Sequence, residues 1–522
     1  MDLRKPLYRT RILKRVILLK EYNIHMADRR HKINVFSDWF RKLVEAFFIP
    51  PPERSLLWLN PLWTAGLYLL GLIHWCLFLD WGKIPFDLHD WTQVGAYYSF
   101  LRQAFLTNQL PLQIGSTLAD TNRYLAIPQT LISPQAYLLR FLDPGIFTLV
   151  NVLILYSVGV AGLLLVQKRY SLAPAAFSVL FLLFNFNGNI TAHYAVGHAE
   201  WTGYYFLPFF ALLLLKVLDG EQPGWKWVLF ISLTLFAVTL QGAFHFLLWC
   251  LIFLLAWGLF SPRKYLVPVI KVILFSLFLS MFRLLPPAIE YLGAGKNFIS
   301  GFPTITDLFS ALIVLKYPAE ALSGPFSSLG WWEVDTYIGL LGLAFILYFG
   351  IFQTWRKGSV AKTLLAPIAV VTFLSIGQIY SIVNHLPIPL TDSERVSSRF
   401  LIVPVVVLIT LGSIYFQETL IKHGPRGLVE RIFSLGVLIL LAHDLFQHSR
   451  IWRVSEMYNL FQSTPVDIRS NVLNLPDPLY FSVLAIGATV TVVTFIVLLY
   501  LTVREHNGAS PINNRGNHAQ AA

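Results

Sequence analysis

Long apolar runs alternate with polar connections from Leu56 to Val503. A helix needs roughly 20 residues to cross about 30 Å of hydrocarbon, and the runs that come closest to this length are residues 56–79, 145–166, 201–218, 266–289, 335–353, 364–383 and 479–503. Shorter or fused runs complete the set at residues 172–187, 225–241, 243–260, 400–416 and 428–444. The pattern predicts an all-α integral membrane protein with about twelve transmembrane helices.

The composition favours the same class. Hydrophobic residues make up 56% of the 522 residues and charged residues only 13%, which is too little polar surface for a soluble fold of this size. Polarity also divides the chain into a basic N-terminal arm (1–55), a membrane domain (56–503) and a polar tail (504–522) that we expect to be disordered.

The distribution of charge predicts the orientation of the chain. With a cytoplasmic N-terminal arm, 28 of the 40 Lys and Arg residues lie on the inner side, and 17 of the 28 acidic residues lie on the outer side. This is the arrangement that the positive-inside rule favours. Topology and contact with membrane lipids therefore account for the net charge of +12, and no nucleic-acid partner is expected.

Most of the reactive side chains fall in the predicted outer connections. These connections are residues 80–144, 187–200, 290–335, 384–399 and 444–478. In the first of them, the segment from Asp90 to Thr107 has one apolar helical face formed by Val94, Tyr97, Tyr98, Leu101 and Phe105. We therefore predict an amphipathic surface helix here. Asp90 precedes its first turn, where a carboxylate can serve as an N-cap.

Several different short motifs follow one another along the chain in a recognisable order. The first outer connection contains Asp90, Gln93, Leu110-Pro111-Leu112 and Ser133-Pro134. Later motifs are Phe282-Arg283-Leu284-Leu285-Pro286, Gly330-Trp331-Trp332-Glu333, Tyr337-Ile338-Gly339 and Glu394-Arg395-Val396-Ser397-Ser398-Arg399-Phe400. This order resembles the YfhO-like and related GT-C membrane glycosyltransferases. The chain departs from that family at His89, because Gly usually precedes the Asp there.

The resemblance implies a GT-C fold in a bacterial cell membrane, with the active site on the outer face. It also implies a donor sugar carried on polyprenyl phosphate, transferred with inversion to a lipid, polysaccharide or protein. The family's usual catalytic residue is an Asp early in the first outer loop, and Asp90 is the position that matches. Such a carboxylate can take the proton of the acceptor hydroxyl and steady oxocarbenium-like charge. Asp87 is the alternative.

A second candidate group lies in the connection 187–200. In related oligosaccharyl-transferase-like enzymes, two acids separated by one residue bind a divalent cation in this connection. His198 and Glu200 have that spacing, with His in place of the first acid, and His193 lies close by. Together with Asp90 they are candidate ligands for a cation such as Mn²⁺ or Mg²⁺. Alternatively, the histidines lie at the headgroup level and bond to water or backbone.

The leaving group implied by the resemblance, polyprenyl phosphate, is an anion that needs cationic partners. Arg283, Arg395 and Arg399 are the candidates, because a guanidinium group binds phosphate with two hydrogen bonds. The alternative is that Arg395 and Arg399 snorkel or pair with Asp392 and Glu394.

Three further residues are candidate contacts for the sugar or the acceptor. Glu333 and Asp335 are carboxylates beside Trp332, and aromatic rings next to carboxylates suit the faces of sugars. Trp is also the usual anchor at a membrane interface, which is the alternative explanation.

Two other function classes fit a polytopic chain. A flippase or transporter for lipid or polysaccharide precursors normally places ionisable residues at mid-membrane. The middles of the predicted spans here are nearly free of acids, which favours chemistry at the membrane surface. A non-catalytic assembly subunit would keep the fold and would need neither Asp90 nor Glu200.

Overall fold

Helices account for most of the described chain, as the long apolar runs predict. The computed structural model describes residues 38–49, 58–114, 123–290, 300–318, 330–358, 360–384, 394–424, 427–461 and 474–508. Residues 38–48 are helical. The α-helices that follow are Leu59–Phe78, Trp91–Leu106, Pro144–Tyr170, Pro174–Asn185, Gly188–Val196, Leu207–Leu218, Trp225–Leu240, Phe244–Phe260, Val267–Leu279, Met281–Glu290, Ile305–Ile313, Gly339–Phe345, Gln353–Arg356, Leu365–Leu374, Gly377–Asn384, Ile402–His423, Leu428–Ile451, Val454–Leu460 and Pro478–Gly508.

Short helices of other types join or extend these elements. The 3₁₀ helices are Asp80–Gly82, Tyr124–Ala126, Pro134–Arg140, Ala199–Phe206, Trp331–Glu333, Val360–Leu364 and Ser397–Leu401, and the π-helices are Pro262–Leu266 and Ile346–Phe352. The described ranges contain one small sheet, in which strands Gln113–Ile114 and Asn474–Leu475 pair antiparallel. This pairing ties the first predicted outer connection to the segment before the last helix.

The structure confirms an all-α membrane protein but not twelve spans. Within the described ranges, seven helical segments are long and apolar enough to cross a membrane: Leu59–Phe78, Pro144–Tyr170, Pro174–Val196, Ala199–Leu218, Gly339–Arg356, Ser397–His423 and Pro478–Asn507. Segments Pro262–Leu279 and Met281–Glu290, bent by 74°, make an eighth if they form one broken span.

The difference in span number has a physical reason. Helices Trp225–Leu240 and Phe244–Phe260 are apolar but have only 16 and 17 residues, at or below the short end of what crosses the hydrocarbon. Helix Leu428–Ile451 has 24 residues, but Glu430, Arg431 and Asp444 interrupt its apolar character. Apolar runs therefore outnumber the helices that qualify as spans.

The centre of the bundle is the helix Pro174–Asn185, every residue of which is buried. It packs against Leu59–Phe78, Pro144–Tyr170 and Ile402–His423. A helix that is apolar on all sides is expected at the core of a bundle. Because it leads directly into the connection 187–200, it anchors that connection inside the protein.

The amphipathic helix predicted in the first outer connection is confirmed as Trp91–Leu106. Val94, Tyr97, Tyr98 and Leu101 of the predicted face are buried, and the Tyr98 ring lies 5.0 Å from Phe147 at the start of the next span. The apolar face therefore packs on the helical bundle.

The predicted terminal segments lie mostly outside the described residues. Only residues 38–49 of the basic arm are described. At the other end, the last helix continues to Gly508, beyond the expected boundary at residue 504.

Candidate functional site

The predicted outer connection 187–200 is a buried helix and turn. The Asn187 side chain accepts a hydrogen bond from the Ile190 backbone N–H and begins the helix Gly188–Val196. Gly197 ends it with a φ of +102°, a left-handed conformation that glycine adopts without steric cost. His193, His198 and Glu200 are consequently buried, with 0%, 6% and 9% of their surface exposed.

The connection 80–144, predicted to lie on the outer side, crosses this turn and brings Asp90 to His198. The Asp90 backbone N–H donates to the Val196 carbonyl at 3.2 Å, and Trp91 Nε1 donates to the Ala195 carbonyl at 3.1 Å. With the backbone fixed in this way, Asp90 Oδ2 lies 2.8 Å from His198 Nε2, although the two residues are 108 positions apart. Asp90 precedes the helix Trp91–Leu106, but its side chain makes no capping hydrogen bond. The N-cap interpretation of Asp90 therefore loses its support.

His89 completes the turn that presents Asp90. Its φ of +44° lies in the left-handed region, which favours glycine. The His89 Nδ1 atom lies 3.2 Å from the Val196 carbonyl oxygen, and its ring lies 4.8 Å from that of Trp332. These contacts hold a non-glycine residue in a conformation that it rarely adopts.

Asp90 and His198 form an ion pair at the edge of the protein. Partial burial alone would raise the pKa of Asp90, but hydrogen bonds and positive charge from His198 and His89 lower it well below its ordinary value. Burial alone would lower the pKa of His198, but Asp90 raises it above its ordinary value. The Asp90 side chain keeps 42% of its surface exposed, against 8% for His198. Asp90 is thus the solvent-accessible residue of the ion pair, and its carboxylate is negatively charged at neutral pH.

The ion pair predicts a specific dependence of stability on pH. Because the pKa of His198 is raised in the folded protein, His198 contributes fully to folding stability below about pH 6.5. This contribution is lost progressively as the pH rises through the pKa of His198 in the folded protein. Because the pKa of Asp90 is lowered in the folded protein, Asp90 contributes fully to folding stability above about pH 4. We expect the melting temperatures of the native chain and His198→Gln to differ most near about pH 6 and least near about pH 9. A difference that stays constant over this range would contradict the ion pair.

His198 continues the contact inward to a second histidine. Its Nδ1 atom lies 2.6 Å from Nδ1 of His193, and the His193 ring stacks on Trp201 at 3.8 Å. Trp201 is fully buried, and its Nε1 donates to Asn189 Oδ1 at 3.0 Å. Asp90, His198 and His193 therefore form one hydrogen-bonded chain from the protein edge to the indole of Trp201.

This arrangement bears on the predicted cation. Both ring nitrogens of His198 are already in hydrogen bonds, so a metal ion would have to displace Asp90 or His193 from one of them. Across the described ranges, no group of three or more His, Cys, Asp or Glu side chains is placed to hold a metal ion. As arranged, these donors do not fit a metal, and the divalent cation stays a prediction.

Arg399 and Glu333 form a second ion pair beside Trp201. Arg399 Nη2 and Nε lie 2.6 and 2.8 Å from Glu333 Oε2, and Ser398 Oγ donates to the Glu333 carbonyl at 2.8 Å. The guanidinium carbon of Arg399 is 5.0 Å from the Trp201 ring. Arg399 thus pairs with Glu333, while the alternative partner Asp392 lies outside the described residues.

No family model, curated protein or solved structure matches the chain.

His245 and Trp201 belong to the site but are not among the residues predicted from the sequence. His245 Nδ1 lies 2.9 Å from Glu394 Oε2, and the His245 ring lies 6.2 Å from Trp201. The available signal was an ionisable residue at the start of the apolar run 243–260, a position where charge is costly and often functional.

Asp335 and Trp332 position the segment that carries Glu333. Asp335 is 1% exposed; its Oδ2 lies 3.0 Å from His448 Nε2, and its Oδ1 accepts from the Tyr337 backbone N–H. Both of its oxygens are therefore used within the protein. Trp332 is half-buried, and its ring contacts those of His89 and Phe461, at centroid distances of 4.8 and 5.5 Å.

A glycine makes room for this segment. A Cβ atom at Gly188 would clash with Asp335 Oδ1 and with the Tyr337 backbone nitrogen. We expect Gly188→Ala to destabilise the protein by about 1–3 kcal/mol, the usual cost of overpacking, which thermal unfolding can measure. Gly66→Ala is the matched control, because a Cβ at Gly66 meets nothing within 4 Å. Equal melting temperatures for the two variants would contradict the close packing.

Arg283 and Arg395, the other two arginines predicted to bind phosphate, have different surroundings. Arg283 is 3% exposed and donates to the carbonyls of Leu125, Pro128 and Thr130 at 3.2, 3.1 and 2.8 Å. Arg283 thus holds residues 125–130 against the bundle. The side chain of Arg395 is exposed.

The remaining two carboxylates differ in their surroundings. Glu200 is buried and interacts electrostatically with His198, His245 and Arg399, so it belongs to the same polar cluster. Asp87 is half-buried and makes no hydrogen bond or ion pair with any residue that the structure describes. Of the two predicted catalytic carboxylates, only Asp90 has partners that orient it.

Proposed function

We propose that this protein is a GT-C-type membrane glycosyltransferase. It would move a sugar from polyprenyl phosphate to a lipid, polysaccharide or protein acceptor at the outer face of a bacterial cell membrane. The observation that supports this most is the Asp90–His198 ion pair, which joins the predicted catalytic carboxylate to the connection that carries the candidate cation ligands. The Glu333–Arg399 pair reaches the same indole, Trp201, from two other segments.

The charges suit each stage of such a transfer. The transition state of glycosyl transfer carries positive charge on the sugar, and Asp90 supplies an accessible carboxylate whose lowered pKa keeps it ionised. The departing phosphate is negative. Arg399 would donate hydrogen bonds to it from the N–H groups that are not bonded to Glu333. The exposed Arg395 would add a second cation.

The test is sugar transfer in membranes. Membranes with and without the chain would be supplied with a panel of radiolabelled polyprenyl-phosphate sugars, and label in endogenous acceptor would be measured. We expect transfer from at least one donor only where the chain is present. Repeating the assay with a chelator examines the predicted cation separately. No transfer from any donor, in membranes shown to contain acceptor, would contradict the proposal.

A further inference from the structure

A second carboxylate–histidine pair lies in the same cluster. Glu394 Oε2 lies 2.9 Å from His245 Nδ1 and accepts from Trp249 Nε1 at 2.9 Å, while Glu394 Oε1 accepts from the Val396 backbone N–H at 3.0 Å. The Glu394 side chain has no exposed surface. Burial alone would raise its pKa, but His245, Arg399 and the Val396 N–H lower it to about 2. Glu394 is therefore a buried carboxylate that is ionised at neutral pH and only accepts hydrogen bonds.

This acceptor fixes the tautomer of His245. A carboxylate that only accepts requires a hydrogen on the Nδ1 atom that faces it, so the neutral ring carries its lone pair on Nε2. That atom makes no hydrogen bond with any residue in the described ranges, and 12% of the side chain is exposed. A buried carboxylate on Nδ1 and a free, reachable Nε2 is the arrangement of an imidazole general base.

His245 faces the same indole as the first pair. Its ring lies 6.2 Å from Trp201, and that of His198 lies 5.0 Å from it. The ionisable groups that act on this region from neighbouring segments are His193, Glu200, Glu394 and Arg399. The two carboxylate–histidine pairs therefore share one site.

The other candidate bases are less suited to the task. The lowered pKa of Asp90 makes it a weak proton acceptor. Both ring nitrogens of His198 are engaged, and His193 Nε2 is buried with no hydrogen-bond partner among the residues that the structure describes. His89 Nε2 makes no hydrogen bond within the described part of the chain, but His89 Nδ1 faces a backbone carbonyl at 3.2 Å and a charged carboxylate only at 3.5 Å.

We propose that His245 is the general base of the site, oriented by Glu394, and that Asp90 stays ionised throughout the reaction. This inference rests on the proposed glycosyl transfer and assigns the proton within it. The acceptor O–H bond breaks and its proton moves to His245 Nε2, while the acceptor oxygen forms a bond to the anomeric carbon. The bond from that carbon to the phosphate oxygen breaks, and its electron pair leaves with polyprenyl phosphate. The imidazolium then releases the proton to water.

The test is the pH profile of transfer for the native chain and for His245→Asn. The Asn amide can still donate to Glu394, so the buried carboxylate keeps a partner, but no base remains. We expect the native rate to rise with pH along a single protonation limb. In His245→Asn that limb should disappear, and the maximal rate should fall about 100-fold or more. The matched control is His443→Asn, an exposed histidine, which should keep the native profile.

A second variant guards against misfolding. His245→Ala should regain part of its rate when imidazole is added, because a free base can occupy the vacated position; a purely structural histidine would give no such rescue. The inference is overturned if His245→Asn keeps the native limb, or if His89→Asn removes it instead. These results require that the native chain transfers sugar. Absence of native transfer would overturn the proposed function itself and this inference with it.

Discussion

Replacing Asp90 with Asn is expected to reduce sugar transfer by about 100-fold or more, with the geometry of the turn retained. The Asn side chain keeps an oxygen that can accept from His198 Nε2, now at 2.8 Å from the carboxylate, so the geometry of the turn should survive. What is lost is the negative charge that faces the developing positive charge on the sugar, and interactions of that kind are worth about 10²–10³-fold in rate. Initial transfer rates at matched protein levels would measure it.

Asp87→Asn is the natural comparison for this variant. It makes the same chemical change three residues earlier, at a half-buried carboxylate that has no partner within the described ranges. We expect Asp87→Asn to transfer at close to the native rate. If Asp87→Asn were the inactive variant and Asp90→Asn the active one, the assignment of the carboxylate would be wrong.

Replacing Arg399 with Met is expected to destabilise the folded protein by about 3–5 kcal/mol. The change leaves Glu333, whose side chain is only 9% exposed, without its cationic partner at 2.6 Å. A buried charge that loses its partner costs much more than the pair contributed, because its desolvation is no longer offset. The contact with the Trp201 ring is lost as well. The midpoint of thermal or denaturant unfolding in detergent would measure the loss.

Two further variants separate charge from packing at this pair. Adding Glu333→Gln to Arg399→Met removes the stranded carboxylate, so the double variant should recover much of the lost stability. Arg399→Lys keeps the positive charge but cannot place two nitrogens on Glu333 Oε2, and it should be intermediate. A loss below about 1 kcal/mol in Arg399→Met would match a solvent-screened surface pair and would contradict the buried one.

The sequence predicts those parts of the fold that depend on local pattern. The face formed by Val94, Tyr97, Tyr98 and Leu101 follows helical spacing, and the structure buries it as a helix. The number of spans is predicted less well, because apolar composition alone does not separate a spanning helix from Phe244–Phe260, which has 17 residues.

The site is harder to predict, because its contacts join distant segments. Nothing in one sequence pairs Asp90 with His198 across 108 residues, or Arg399 with Glu333 across 66. The stretch after Asn187 resembles a loop because it is polar, but Asn187 donates to the Leu183 and Phe184 carbonyls and the stretch stays inside. His245 is part of no sequence motif, and its proposed chemical role follows only from its contact with Glu394.

The main chain at Gly197 lies directly against the main chain of Asp90 and Trp91, and this contact determines which parts of the site can change. A Cβ there would overlap the Trp91 backbone nitrogen and come within 2.7 Å of the Asp90 carbonyl carbon, so two stretches of main chain touch directly. The separation of the Asp90 and His198 Cα atoms is therefore set by backbone contact and not by the size of neighbouring side chains. Exchanging the residues around the Trp201 indole would leave this backbone contact in place, so the proposed site could be adapted to another substrate without moving Asp90 relative to His198.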